Sequence, residues 1–78
     1  MLKKNPTLII TFATTTQAMA VEKFCAEHGL PGRLIPVPRE ITAGCGLSWK
    51  AQPEAKEPLT AALIDAGLKW AECHIIEI

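Results

Sequence analysis

Apolar and polar residues are arranged along the first half of the chain in a pattern that predicts a strand followed by a helix. Residues 7–13 are mostly apolar or β-branched, which is typical of a largely buried strand. The next apolar positions recur at helical spacing and define one face of a helix: Ala18, Val21, Cys25 and His28. Thr14 and Gln17 fit a capping box at the start of this helix, and Gly29 predicts its end.

The second half of the chain predicts two more strands, a helix and a final strand. Residues 33–37 predict a strand whose prolines favour an edge position, and residues from 46 to 50 or 51 predict the next. A helix should begin near Lys56, because Pro53 precedes this residue and Pro58 fits within a first helical turn, and it should end at Gly67. Its apolar stripe consists of Leu59, Ala62, Leu63 and Ala66. Residues 69–78 predict the last strand.

The predicted order β-α-β-β-α-β indicates a single domain over residues 1–78 with a ferredoxin-like α+β fold. In this fold a four-stranded antiparallel sheet has the strand order 4-1-3-2 and carries both helices on one face. Strands 1 and 2 are then parallel, with strand 3 between them. The turn before helix 1 and the loop between strands 2 and 3 therefore emerge at the same end of the sheet, and we expect the start of helix 1 to lie near Arg39 and Cys45.

Composition and charge exclude several classes of partner. Eight basic and eight acidic residues cancel, and the basic residues form no stripe, so we predict no nucleic-acid partner and no anionic membrane surface. No apolar run approaches the ~20 residues that span a bilayer. Three cysteines cannot form a complete set of disulfides, which favours a reducing, cytoplasmic location. The first 20 residues resemble a secretory signal, but the polar run 14–17 interrupts the apolar segment too early, so we expect none.

One loop carries most of the candidate chemistry. Residues 35–47 combine two prolines at alternate positions, the charged pair Arg39 and Glu40, and a cysteine between two glycines. Prolines stiffen the approach, and the glycines flanking Cys45 leave its thiol with little steric cover. A structural cysteine is normally buried among bulky apolar neighbours. Cys45 is therefore the best candidate for a functional residue.

A thiolate is the nucleophilic form of cysteine and the form that carries transferable sulfur. At an unperturbed pKa of about 8.5 only ~3% of Cys45 would be ionised at pH 7. The Arg39 guanidinium, the amides around Cys45 and the positive end of helix 1 each favour the anion. The candidate anion-binding residues are Thr14, Thr15, Thr16, Gly44 and Gly46. Such a site suits a persulfide or selenide terminus and requires no cofactor.

No hydrolase-like constellation accompanies this thiol. His28 should lie at the opposite end of helix 1, and His74 is on the last strand, so neither is placed to act as a base for Cys45. A carrier or redox thiol needs no base. We therefore predict a carrier protein in preference to a stand-alone enzyme.

Simpler interpretations compete with each of these assignments. A Gly-Cys-Gly sequence is often only a turn, Arg39 and Glu40 are by default a solvated pair, and the three threonines are by default a helix cap.

A rival site would combine Cys25 and His28 on one helix face with Cys73 or His74 from the last strand as metal ligands. Adjacent strand residues point to opposite faces, which leaves at most three protein ligands. We therefore predict core packing of these cysteines and no metal.

The chain resembles a small bacterial and archaeal family described as putative Se/S carrier protein-like. The resemblance is carried by residues 12–15, by Ala18 with Glu22, and above all by residues 35–41 leading to 45–47. It spans nearly the whole chain, and the Pro-x-Pro-Arg to Cys-Gly spacing is moderately specific. It implies a single carrier cysteine at Cys45, with Arg39 as its companion. The Cys-Pro motif of SirA-like sulfur carriers is absent from this sequence.

Two classes of function follow from the sequence. In the first, the chain is a thiol carrier whose partners are donor and acceptor proteins for sulfur or selenium. In the second, it is a non-catalytic module that senses a small ligand or binds a protein, as ferredoxin-like domains often do. In either case, an apolar uncovered sheet face would favour a homodimer.

Overall fold

The computed structural model describes residues 5–41 and 46–77. All six predicted elements are present: β1 (Pro6–Thr11), α1 (Thr15–His28), β2 (Arg33–Pro36), β3 (Leu47–Ala51), α2 (Lys56–Asp65) and β4 (Glu72–Glu77). A single 3-10 turn, Pro53–Ala55, leads directly into α2 and was not predicted. Its first residue is a proline, whose missing N–H is harmless in a first helical turn.

The four strands form one sheet in the order β2-β3-β1-β4, and every neighbouring pair is antiparallel. This is the predicted order read from the other edge. Because β1 and β2 both run antiparallel to β3, they are parallel to each other. The predicted α+β class is confirmed, and the strand order is compatible with a ferredoxin-like arrangement.

Both helices pack on the same face of the sheet. One cluster of buried side chains joins the two helices to the central strands: Leu8, Ile10, Phe12, Ala18, Val21, Cys25, Trp49, Ala51, Ala55, Leu59 and Leu63. The predicted stripes of α1 and α2 supply five of these residues. Two predicted members are wrong: His28, the last residue of α1, and Ala66, which follows the end of α2, are both exposed.

The capping box of α1 is confirmed with a small variation. The Thr14 hydroxyl accepts a hydrogen bond from the Gln17 N–H at 3.1 Å. The Gln17 side-chain oxygen accepts from the N–H of Ala13 at 2.9 Å, one residue earlier than in the standard motif. Gly29 ends the helix with φ 64° and donates to the Cys25 carbonyl, as predicted.

The last strand begins three residues later than predicted. After α2, Leu68 N–H donates back to the Leu63 carbonyl at 2.9 Å, so the chain is still closing the helix at that point. Pairing with β1 starts only at Thr11, which accepts hydrogen bonds from two successive amides. Its carbonyl accepts from the Ala71 N–H at 2.8 Å, and its hydroxyl accepts from the Glu72 N–H at 3.1 Å. The hydroxyl of Thr11 therefore marks the start of β4.

The face of the sheet away from the helices is less exposed than the sequence suggested. Thr7, Ile9, Thr11 and Ser48 lie on it and are all buried, with Ile9 and Ser48 fully so. Within residues 5–41 and 46–77, the large apolar side chains that are exposed are Met19, Ile64 and Ile75, and none of them is on this face. A homodimer through this face therefore stays a prediction. In the same ranges, no helix is long and apolar enough to cross a membrane.

Candidate functional site

The loop between β2 and β3 is anchored at both described ends. The Val37 N–H donates to the Gly46 carbonyl at 3.0 Å, which extends the pairing of the two strands by one step. The Ile41 N–H donates to the Pro38 carbonyl at 3.0 Å, which closes a turn with Arg39 and Glu40 at its centre. The chain therefore approaches the residues before Cys45 through a hydrogen-bonded turn, and the predicted stiffness of this approach stays a prediction.

The side chains of this turn differ in exposure. Arg39 and Glu40 are exposed, whereas Ile41 is buried at 8% exposure although it is not part of the helix-side core. The turn therefore presents a guanidinium to solvent and is held to the protein through an isoleucine. Cys45 and Gly44, the centre of the predicted site, lie outside the described residues. Gly46, which follows Cys45, is exposed and has a φ of 77° that favours glycine.

Strand register shows which elements meet at this end of the sheet. Thr11, Ser48 and Ile35 lie opposite one another in one row across β1, β3 and β2. With strands about 4.8 Å apart, this row is about 10 Å wide. The chain leaves it toward Ala13 on β1 and toward Gly46 on β3. The N-terminus of α1 and the loop that contains Cys45 therefore emerge at the same end of the sheet, and the closer approach of Thr14, Thr15 and Thr16 to Arg39 and Cys45 stays a prediction.

The start of α1 has the features of an electropositive helix end. The N–H groups of Thr15 and Thr16 are the first two of the helix, so no preceding turn supplies them with an acceptor. Both residues are exposed, and the first turn contains no acidic side chain to neutralise the helix dipole. An anion near this end of the sheet would therefore be stabilised.

The two cysteines in the described part of the chain have suppressed ionisation. Cys25 is 1% exposed, and burial raises the pKa of its thiol to about 11. About one part in ten thousand would then be thiolate at pH 7. Burial also raises the pKa of the Cys73 thiol, although the Lys56 charge and a hydrogen bond with Trp70 oppose the shift. As predicted, Cys25 is in the core and Cys73 packs against it.

The potential ligands of the rival metal site do not come together. Cys25 points into the core, whereas His28 is exposed, with its ring 4.2 Å from that of Phe24. His74 lies on the other face of the sheet from Cys73, where its Nε2 is 3.0 Å from a carboxylate oxygen of Glu72. Among the described residues, no group of three or more His, Cys, Asp or Glu side chains could hold a metal ion.

The structure also contains a groove that sequence reasoning missed. It lies at the opposite end of the sheet from the Cys45 loop, has a volume of about 1010 Å³, and is lined in part by Arg33 and Lys50. The two residues are 17 positions apart in sequence, and only the register of β2 on β3 brings them face to face. Strand alternation gives the face of each side chain but not this pairing.

Comparison with known proteins gives one match. No curated protein and no solved structure matches the chain. A family model matches residues 7–75, which include both helices, nearly all of the sheet and the whole β2–β3 loop. The chain therefore belongs to the family described as Putative Se/S carrier protein-like.

Proposed function

We propose that this protein carries a sulfur or selenium atom on Cys45, as a persulfide or its selenium analogue, between donor and acceptor proteins. The family description supports carriage of these elements. The observation that favours Cys45 as the carrier residue is the burial of the other two cysteines. Cys25 and Cys73 are both shielded by the core, and burial raises the pKa of both thiols. A carrier thiol must ionise and must reach a partner protein, and neither of these residues is suited to that task.

The surroundings of the loop support an anionic cargo. Arg39 is exposed in a closed turn of the same loop, and the start of α1 emerges at the same end of the sheet. The first two amides of α1, those of Thr15 and Thr16, have no acceptor from a preceding turn, and its first turn has no acidic residue. A guanidinium and a helix N-terminus both stabilise negative charge. Thr14, Thr15, Thr16, Gly44 and Gly46 are the residues whose backbone amides or hydroxyls we assign to this role.

In the proposed transfer, the Cys45 thiolate attacks the terminal sulfur of a donor persulfide, R–S–SH. A new S–S bond forms to Cys45 while the donor's S–S bond breaks, and the donor leaves as the thiolate R–S⁻. The proton stays with the transferred sulfur, and the exchange needs no external oxidant or reductant. An acceptor thiolate then removes the terminal sulfur by the same reaction and returns Cys45 as a thiolate.

This exchange requires no general base, cofactor or metal, which fits a carrier better than a stand-alone enzyme. Donor and acceptor proteins are its only required partners, and a reducing compartment such as the cytoplasm would keep Cys45 available.

Mass spectrometry of the intact protein tests the proposal. After incubation with a low-molecular-weight persulfide, the protein should gain about 32 Da, and the loaded peptide should contain Cys45. Cys45→Ser should abolish the gain, whereas Cys73→Ser, the matched control, should retain it. A gain that persists in Cys45→Ser would contradict the assignment. Absence of any gain in the wild-type protein would favour the non-catalytic module.

A further inference from the structure

The groove at the far end of the sheet contains an unusual pair of charges. Arg33 on β2 and Lys50 on β3 are directly opposite in the register, so their side chains share the sheet face away from the helices. Directly opposite like charges destabilise a strand pair. The ion pair found within residues 5–41 and 46–77 joins His74 to Glu72, so no carboxylate of these residues forms an ion pair with Arg33 or Lys50. We propose that this pair binds the phosphate group of a small phosphate ester.

The shape of the groove suits such a ligand. Its volume of about 1010 Å³ lies at the upper end of the range of small-molecule sites. Asn5, Thr7 and Gln52 line it with neutral hydrogen-bonding groups. Arg and Lys are the side chains that bind phosphate most readily, the first through a planar fork and the second as a point charge.

Glu54 also lines the groove, and its carboxylate repels anions. It forms no ion pair with Arg33 or Lys50, although all three line the same groove. The ligand therefore has an anionic end at the two cations and an uncharged end, with hydrogen-bond donors, toward Glu54. A phosphate ester of a sugar or nucleoside has this polarity, whereas a ligand that is anionic at both ends does not.

A rigid support positions the arginine. The Trp49 indole N–H donates to the Pro31 carbonyl at 3.1 Å, and Trp49 itself is 3% exposed. Gly32 has φ 114°, and a Cβ at this position would overlap the Trp49 indole and lie 2.5 Å from the Lys50 carbonyl oxygen. The segment before Arg33 therefore packs tightly against β3 at Lys50, the residue that carries the second cation. The two backbone positions that carry the cations are held together before any ligand arrives, which lowers the entropic cost of binding.

This site is separate from the proposed carrier loop. Lys50 is four residues along β3 from Gly46, a distance of about 13 Å at strand spacing. Binding in the groove therefore does not depend on Cys45, and Cys45→Ser should bind the ligand as the wild-type protein does. Failure of the persulfide experiment and failure of this inference are consequently distinguishable.

Amide-resolved NMR titration of the full chain tests the inference. The probes are adenosine 5′-monophosphate and inorganic phosphate, with sodium chloride at matched ionic strength as the reference. We expect saturable shifts in the amides around Gly32, Arg33, Lys50 and Gln52. The nucleotide should bind more tightly than inorganic phosphate, because the groove extends beyond the two cations.

Three substitutions make the test specific. Arg33→Gln and Lys50→Gln should each weaken binding of the nucleotide about tenfold or more, as loss of a charge-assisted hydrogen bond predicts. Lys23→Gln removes an exposed charge from α1 and should leave binding unchanged. If Lys23→Gln weakened nucleotide binding as much as the other two substitutions, the nucleotide would be attracted only by the net charge of the protein. That result would overturn the proposed site. Shifts no larger than those with chloride, or shifts centred on the start of α1, would overturn it as well. Equal affinity for the two probes would overturn the assignment to an ester.

Discussion

Gly32→Ala is the substitution whose effect on stability the structure defines most sharply. Gly32 has φ 114°, and about 1–2 kcal/mol is the usual cost of placing a residue with a Cβ at positive φ. The added methyl group would also overlap the Trp49 indole and the carbonyl oxygen of Lys50. A backbone oxygen cannot rotate away, so the segment 31–33 must move outward.

That movement breaks the hydrogen bond from the Trp49 indole to the Pro31 carbonyl. Leaving a buried donor without an acceptor costs about 1–3 kcal/mol. The two effects together predict a loss of about 2–5 kcal/mol in the free energy of unfolding. Small domains have about 5–15 kcal/mol in total, so Gly32→Ala should remove a substantial fraction of the stability.

Urea denaturation followed by far-UV circular dichroism measures this loss. Gly67→Ala is the matched control, because Gly67 also has positive φ, 75°, but a Cβ there would meet nothing within 4 Å. Only the backbone part of the cost, about 1–2 kcal/mol, should appear in that variant. The reasoning would be refuted if Gly32→Ala lost no more stability than Gly67→Ala.

Three further predictions concern charge and ionisation. Burial raises the pKa of the Cys25 thiol to about 11, so the unfolded chain loses that proton at a lower pH than the folded protein. Stability should therefore fall between pH ~9 and ~11 by about 1.4 kcal/mol per pH unit, as urea titrations under reductant would record. Arg39→Ala should raise the pKa of Cys45, and Arg39→Lys should recover part of the effect, as seen in the pH dependence of alkylation. Lys50→Glu should raise the free energy of unfolding by about 0.2–1 kcal/mol, because it replaces repulsion of Arg33 by attraction.

Each of these predictions has a control and a contrary result. Cys25→Ala should be less stable at neutral pH and should show a smaller alkaline fall, because only the contribution of Cys73 remains. An unchanged slope would mean that other groups cause the fall. Identical alkylation midpoints in the wild-type protein and both Arg39 variants would make Arg39 a simple surface charge. Lys23→Glu, on an exposed helix position, controls for the change in net charge. If Lys50→Glu lost stability and Lys23→Glu did not, the Lys50 side chain would stabilise the protein by packing.

The sequence predicted the fold well where the signal is local. Thr14, Gln17 and Gly29 define the ends of α1 by their own hydrogen bonds and backbone angles. Their roles can therefore be predicted from the local sequence. Prediction failed where the end of an element depends on a distant partner. The start of β4 is determined by Thr11, 61 residues away from Glu72. No local pattern carries that information.

The candidate sites differ in the same way. The loop around Cys45 could be recognised because its prolines, its charged pair and its cysteine are contiguous. The Arg33–Lys50 pair could not be recognised, since it depends on the register between two strands. The need for glycine at position 32 could not be recognised from the sequence either, because the Trp49 indole that a Cβ would meet there belongs to β3.

The two free edges of the sheet are unequal, and this limits how the protein can self-associate. β2 is a four-residue edge that carries Arg33 and ends in Pro36, which has no N–H to donate. Short length, charge and proline are the usual protections against strand addition. β4 is a six-residue edge without proline, and Ile75 on it is 48% exposed. If copies of this chain ever pair strand to strand, in a dimer or in an aggregate, the contact should form along β4. A proline or lysine introduced at its outer edge would then be the effective protection.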